Sequence, residues 1–313
     1  MAALLLLSML SLSGCGEDDD VDTTANYPVE VSGVKFVAAP SKVVCYSSTY
    51  IGIIYAMGFE SQLEGRTANC EYTEAEGLTA FGTADNPSVN LIEGRKVDVV
   101  VTDETMPQKS IDEIQELGVP VVVIPRATGR SSFADMYSAL GSVFQGGNKG
   151  YNAGRKVAND LLSQLDDIAR MVENEEIWNT CIIVSSDLSK FATGDTMISA
   201  VLECTGGFNV AKDSTDGVYS LPDMMRSDPD VILCPVGADQ KLRANSSLVG
   251  VPAMDNFRVY TMDMTVFDDQ YQGIIKGAWR MAYILHPEVI TDDIVPEGML
   301  ELPDEDDEGV FLD

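Results

Sequence analysis

Three runs decide the fold: Lys42-Val43-Val44-Cys45-Tyr46, Val97-Asp98-Val99-Val100-Val101 and Pro120-Val121-Val122-Val123-Ile124. Each is rich in β-branched residues and too short for a helix. Helical spacing fills the gaps. Thr49 to Met57 stops at Gly58, and Ser110 to Leu117 stops at Gly118. Glycine takes the left-handed conformation that ends a helix without a Cβ penalty. Phe133 to Phe144 is expected to form a third helix. Strands that are apolar on both faces and alternate with helices imply a parallel sheet covered on both sides.

Outward from these runs the pattern extends both ways. Val29 to Val37 alternates around Ser32-Gly33, which predicts a hairpin. A glycine-rich turn follows at Gly146-Gly147-Asn148-Lys149-Gly150. From Tyr151 to Val172 apolar residues recur at Val157, Leu161, Leu165, Ile168 and Met171. That spacing predicts a helix about 30 Å long at 1.5 Å per residue. The alternation then restarts. Cys181 to Val184, Val231 to Cys234 and Arg258 to Met262 read as strands, with helices at Thr196 to Cys204 and Gly273 to Leu285. The expected class is α/β: two Rossmann-like lobes with parallel sheets, joined by a single long interlobe helix. The lobes fall at residues 27–147 and 175–290, with the connecting helix at 148–174.

Charge narrows the functions. The 313 residues hold 20 Lys and Arg against 50 Asp and Glu, a net charge of −30, and one His, His286. Nucleic acid is excluded as a partner, because phosphate binding needs stripes of Lys and Arg. Docking on anionic lipid by charge is disfavoured for the same reason. One histidine leaves little for His-rich metal sites or Ser-His catalysis. No G-x-S-x-G, Walker A, H-E-x-x-H or G-x-G-x-x-G motif occurs. The acidic pairs Asp103-Glu104 and Asp268-Asp269 are expected to be solvated loop positions. No catalytic residue, metal ligand or cofactor is expected. His286 lies at a helix end before Pro287, where it can cap carbonyls.

The chain begins MAALLLLSMLSLSGC. This apolar run is shorter than the roughly 20 residues that span a bilayer and has the length of a signal-peptide core. The basic residues that ordinarily precede such a core are missing, as expected if translation starts further upstream. Leu12-Ser13-Gly14-Cys15 resembles the lipobox of bacterial lipoproteins, in which the Cys is acylated after cleavage. Residues 1–14 are therefore expected to be a signal peptide, Cys15 a lipidation site and residues 15–26 a tether with the acidic run Glu17 to Asp20. Residues 291–313 form an acidic tail holding Asp304 to Glu308. Five cysteines remain, so they cannot all pair within the chain. No C-x-x-C spacing occurs. Cys45, Cys181 and Cys234 read as buried thiols.

Several segments, in order, resemble the substrate-binding lipoproteins of ABC importers for ferric siderophores, heme and cobalamin, a family of periplasmic binding proteins with a helical backbone. Lys42-Val43-Val44, Ala56-Met57-Gly58-Phe59 and Leu63-Glu64-Gly65-Arg66-Thr67 resemble the opening strand, helix and second strand. Gly82 through Ile92 and Val97-Asp98-Val99-Val100 resemble the next helix and strand. Gly154-Arg155 sit where the interlobe helix begins. Phe191-Ala192-Thr193-Gly194 with Gly206-Gly207-Phe208-Asn209-Val210-Ala211 is the most specific match. Asp228-Pro229-Asp230-Val231-Ile232 and Ile284-Leu285-His286-Pro287-Glu288 complete the likeness.

In open parallel sheets, ligands bind beyond the carboxyl ends of the strands, and two such sheets leave one cleft between lobes. The loops after the strands carry the candidates. Tyr46, Tyr50, Tyr72 and Phe191 are expected to stack on a planar ligand, and Met106 to add adaptable contact. Arg126 and Lys190 are expected to pair with carboxylate or catecholate oxygens. Ser48, Glu104 and Gly237 complete the set. The resemblance further implies delivery to an ABC permease and its ATPase, docked through one acidic residue on each lobe. Two positions depart from that pattern: Asn90 stands in the first, with Glu93 nearby, and Pro222 in the second, with Asp223 beside it.

The expected protein is thus an extracytoplasmic, lipid-anchored, monomeric binding protein of the cell envelope and not an enzyme. It would capture a metal chelate or tetrapyrrole: ferric siderophore, cobalamin or heme. The alternatives are a tetrapyrrole- or metal-handling enzyme or chaperone on the same scaffold, or a surface sensing or adhesion lipoprotein.

Overall fold

A computed structural model describes residues 26–300. Cys15, the apolar leader, the acidic run from Glu17 and the run from Asp304 lie outside the described residues. The chain enters through a hairpin, β1 (Val29–Val31) and β2 (Val34–Phe36). Ser32 and Gly33 turn it with φ of 48° and 77°, the left-handed pair that matches the twist of a two-residue hairpin.

The first sheet holds β3 (Val43–Cys45), β4 (Leu63–Arg66), β5 (Thr79–Ala80), β8 (Val99–Thr102) and β9 (Val121–Val123), in the order β5-β4-β3-β8-β9 and parallel throughout. Between them come α1 (Ser48–Ala56), a small antiparallel ribbon of β6 (Gly82–Thr83) and β7 (Asn86–Pro87), α2 (Val89–Arg95) and α3 (Gln108–Gln115). The ribbon corrects the expectation of a helix from Gly82; the helix starts only at Val89. Successive strand residues feed opposite cores. Val43, Cys45, Val99 and Val101 pack with α1, while Val44, Val100 and Val121 pack with Ile92, Ile111 and Ile114. This period-two division explains why the runs carry no polar face.

Next, α4 (Arg130–Gln145) and α5 (Tyr151–Met171) form an antiparallel hairpin through a π-helical turn at Gly146–Gly150. The two helices touch backbone to backbone. A Cβ on Gly154 would stand 2.0 Å from the Tyr137 carbonyl oxygen, and one on Gly141 would stand 2.1 Å from that of Gly150. Leu161, Leu165 and Ile168 are buried along α5, as their spacing predicts; Val157 is half-buried, and the neighbouring Ala158 is buried in its place. Met171, expected on the same stripe, is 43% exposed because the helix ends there.

The second sheet contains β10 (Trp178–Ile182), β11 (Gly207–Asn209), β12 (Val231–Cys234) and β13 (Val259–Thr261), in the parallel order β11-β10-β12-β13. Its helices are α6 (Met197–Cys204), α7 (Leu221–Ser227), α8 (Ala238–Ala244) and α9 (Pro252–Asp255). Again the strands serve two cores: Ile182, Val231 and Leu233 on one side, Cys181, Ile232 and Cys234 on the other. The last helix, α10 (Gln272–Leu285), packs on both α5 and α6. The protein is therefore an α/β molecule of two parallel-sheet lobes connected by one long helix, α5.

Candidate ligand-binding site

Each sheet has a switch point, where successive connections leave in opposite directions. In the first sheet it lies between β3 and β8, and in the second between β10 and β12. The loops leaving these strands diverge, and a crevice opens beyond their carboxyl ends. Tyr46 to Ser48 and Asp103 to Met106 border the first crevice. Ser185 to Lys190 and Pro235 to Gly237 border the second.

Arg126, just past β9, is the polar centre on the first-lobe side. Its guanidinium lies 3.5 Å from Glu104, 3.8 Å from Asp103 and 3.8 Å from Asp268, and its side chain is 26% exposed. Its backbone N–H also donates to the Glu104 carboxylate at 2.8 Å. Asp103 is buried and accepts from the Thr105 N–H at 2.9 Å, a local turn that fixes the carboxylate under Arg126. Asp268 comes from the segment after β13, so residues far apart in the chain meet around one cation.

That same segment is anchored by Gln270, which is 5% exposed. Its amide donates to the Ala127 carbonyl at 2.7 Å and accepts from the Ala127 N–H at 2.8 Å. Its backbone carbonyl accepts from the Tyr137 hydroxyl at 2.6 Å, and its N–H donates to Thr49 Oγ1 at 2.7 Å. Thr49 in turn donates to Asp269 at 2.9 Å, and Asp269 accepts the N–H groups of Tyr271 and Gly273 at the start of α10. Asp269 is thus a capping group and not the solvated loop position that its sequence suggests.

Beside this anchor, Tyr72 lies half-buried and tilted on Tyr55, with ring centroids 5.2 Å apart. Gly52 gives both Tyr72 and Tyr271 room: a Cβ there would meet Tyr271 at 3.1 Å and Tyr72 at 3.4 Å. Ser48 accepts from the Glu71 N–H at 3.2 Å and ties the Tyr72 loop to the start of α1.

Several expected contact residues sit elsewhere. Tyr46 is buried, with its hydroxyl on the Phe81 carbonyl at 2.7 Å, and Tyr50 is fully buried, with its hydroxyl on the Ile124 carbonyl at 2.7 Å. Burial pushes both phenols well above their usual range. Tyr46 is drawn in because its N–H continues the ladder to the Val101 carbonyl, placing its ring in the core beside Val44 and Val100. Met106 is buried in the same core. Phe191 is buried in the second-lobe core, edge-on to Tyr219 at 5.5 Å. These four are packing residues in the structure and present no face for a ligand to stack on. Glu104 and Lys190 are exposed. Gly237 takes φ of 85°, and the space around it is open, so backbone conformation rather than crowding calls for glycine.

On the outer helices, Asn90 and Glu93 are exposed on α2. Asp223 is occupied. It accepts from the Ser220 hydroxyl and, at 3.0 Å, from the Ser220 N–H, closing the capping box of α7, and it pairs with Arg226. The Ser220 hydroxyl and Arg226 hold its carboxyl below the usual range.

His286 is buried at the end of α10, with its ring packed against Gly206 just past the end of α6. Among the described residues no group of three His, Cys, Asp or Glu side chains is placed to hold a metal, and all five cysteines are free thiols.

Comparison with known proteins agrees with this architecture. An uncharacterized ABC transporter substrate-binding lipoprotein of Bacillus subtilis is 25% identical over 308 residues, covering 93% of this chain and 98% of its own length. A Staphylococcus epidermidis structure described as a possible iron-binding periplasmic protein superposes with a TM-score of 0.70 at 17% identity, covering 80% of this chain and all of its own. The vitamin B12 binding protein of Vibrio cholerae gives 0.61 at 17% identity, over 78% of this chain and 96% of its own. The family model of periplasmic binding proteins matches residues 43–265, and the chain belongs to that family.

Proposed function

We propose that this protein captures a ferric siderophore, corrinoid or heme in the cleft between its lobes and delivers it to an ABC permease, while a lipid on Cys15 holds it at the membrane. The family is one of binding proteins and not of enzymes. The observation that supports ligand capture most is that each of the two parallel sheets has a switch point at which ligands of such sheets bind, with Arg126 and its carboxylates on the loops of the first. The likeness to a vitamin B12 binding protein and to a possible iron-binding protein points to the same ligand range.

Of the residues named above, Ser48, Tyr72, Glu104, Arg126, Lys190 and Gly237 stay as proposed ligand contacts. Tyr271 joins them. Glu93 is the proposed permease contact on the first lobe. Asp223 serves the second lobe only while its carboxylate remains reachable beside Arg226.

Gln270 and Thr49 fasten the segment after β13 onto the first lobe, and α5 crosses between lobes as an unbroken helix. Capture therefore works with small closure. The test is reconstitution with the cognate permease and ATPase. Ligand-loaded protein should stimulate ATP hydrolysis, and no stimulation by any loaded form would contradict delivery.

A further inference from the structure

We propose that the cleft selects ligands without net negative charge: neutral or cationic chelates, in preference to ferric tricatecholates and to dipropionate porphyrins. This rests on the reading of the interlobe cleft as the capture site. It concerns which members of the ligand class that cleft admits.

The argument is the charge state of Arg126. A cation on a ligand-facing loop attracts an anionic chelate only if its charge is free. Here three carboxylates, Asp103, Glu104 and Asp268, lie within 3.8 Å of the one guanidinium. They cancel it and leave two negative charges over. Glu104 also binds the Arg126 N–H, and Asp103 is buried, so neither is free to swing away. An incoming carboxylate or catecholate would have to displace one of them or lie beside them.

The neighbouring segments do not reverse the sign. Arg66, at the end of β4, donates to the carbonyls of Ala75 and Thr67, each at 3.0 Å, and keeps its single positive charge. The loop after it carries Glu71, Glu74 and Glu76, all exposed. On the second lobe, Lys190 shares its loop with Asp187, and Lys241, which donates to the Ser186 carbonyl at 2.7 Å, is accompanied by Asp239, so that side carries no surplus charge. Like charges repel, and because Glu104 and Asp268 are 50% and 78% exposed that repulsion is strongest at low salt. A neutral or cationic ligand meets no such barrier, and a cation gains from the two surplus carboxylates.

The test uses the protein and five probes: a neutral ferric trihydroxamate, a ferric trihydroxamate bearing a free amine, a ferric tricatecholate, hemin and cyanocobalamin. Affinities are read by quenching of intrinsic fluorescence at low salt. The tightest ligand should be neutral or cationic and should bind about tenfold or more tightly than the tricatecholate and hemin. Asp268→Asn, at a side chain 78% exposed and outside the core, should narrow that gap. Raising salt from about 0.05 to about 0.5 M should narrow it too. A tricatecholate or hemin that binds tightest would overturn the charge selection and leave the capture site standing. A gap that Asp268→Asn and salt leave unchanged would also overturn it. Failure of all five to bind would overturn the capture reading itself.

Discussion

The side-chain amide of Gln270 forms both hydrogen bonds that the backbone of Ala127 can make, donating at 2.7 Å and accepting at 2.8 Å. The two residues are 143 positions apart and lie on opposite sides of α5 in the chain. A buried amide satisfied this way acts as a strand partner supplied by a side chain. It fastens the segment after β13 to the first lobe.

Replacing that amide should therefore weaken the fold and loosen that attachment. Gln270→Ala leaves a buried N–H and a buried carbonyl without partners, each at a cost of about 1–3 kcal/mol. Denaturant unfolding should show a loss of about 2–6 kcal/mol. Small-angle scattering of the variant should show a larger ligand-dependent change in radius of gyration than the parent, whose change is expected to be small.

Gly154 offers a second structural test. Its Cα faces the Tyr137 carbonyl so closely that a methyl would overlap it at 2.0 Å. Gly154→Ala must push α5 away from α4, and overpacking of this kind costs about 1–3 kcal/mol. A thermal melt unchanged from the parent would show that the helices are not in backbone contact.

His286 sets a pH dependence. Burial lowers its pKa, although the Thr205 backbone and the charge of Glu175 oppose the shift. The neutral ring is the folded form, so the unfolded chain binds the proton more readily. Stability should be full well above the ordinary histidine value of 6.5 and fall as pH drops through it, levelling off below the folded value. His286→Gln should flatten stability between about pH 7 and pH 5. This is the chain's one histidine, so the change is assignable.

Docking to the permease gives the next test. Asn90 and Glu93 share the exposed side of α2, and only Glu93 is charged. Glu93→Lys should reduce ligand-dependent stimulation of the ATPase about tenfold or more while leaving ligand affinity unchanged. Asn90→Asp should raise stimulation. Equal activity in both variants would place the docking surface elsewhere.

How much of this was legible in the sequence varies with the range of the interactions. Val43, Val99 and Val121 belong to runs whose β-branched residues answer to local packing, so the strands and their parallel pairing could be read directly. The turn at Gly146 and the stripe on α5 were equally local. Short helices were not: α8 carries Asp239, Gln240, Lys241 and Arg243 around one buried Leu242, too few apolar residues to show a period. Around Arg126, the carboxylate of Asp268 and the amide of Gln270 are not legible as neighbours, because their partners lie more than a hundred residues away. Tyr46 and Tyr50 were misplaced for a related reason. Their hydroxyls satisfy the carbonyls of Phe81 and Ile124, which the sequence puts on other strands' loops.

Capture in the cleft is the central claim, and an equilibrium titration tests it most directly. The protein and its Tyr72→Ala variant would each be titrated with ferric trihydroxamate, hemin and cyanocobalamin, following intrinsic fluorescence. Saturable one-to-one binding at micromolar concentration or better is predicted for at least one of the three, weakened severalfold or more by loss of the Tyr72 ring. No binding of any of the three, or binding unaffected by Tyr72→Ala, would contradict the account.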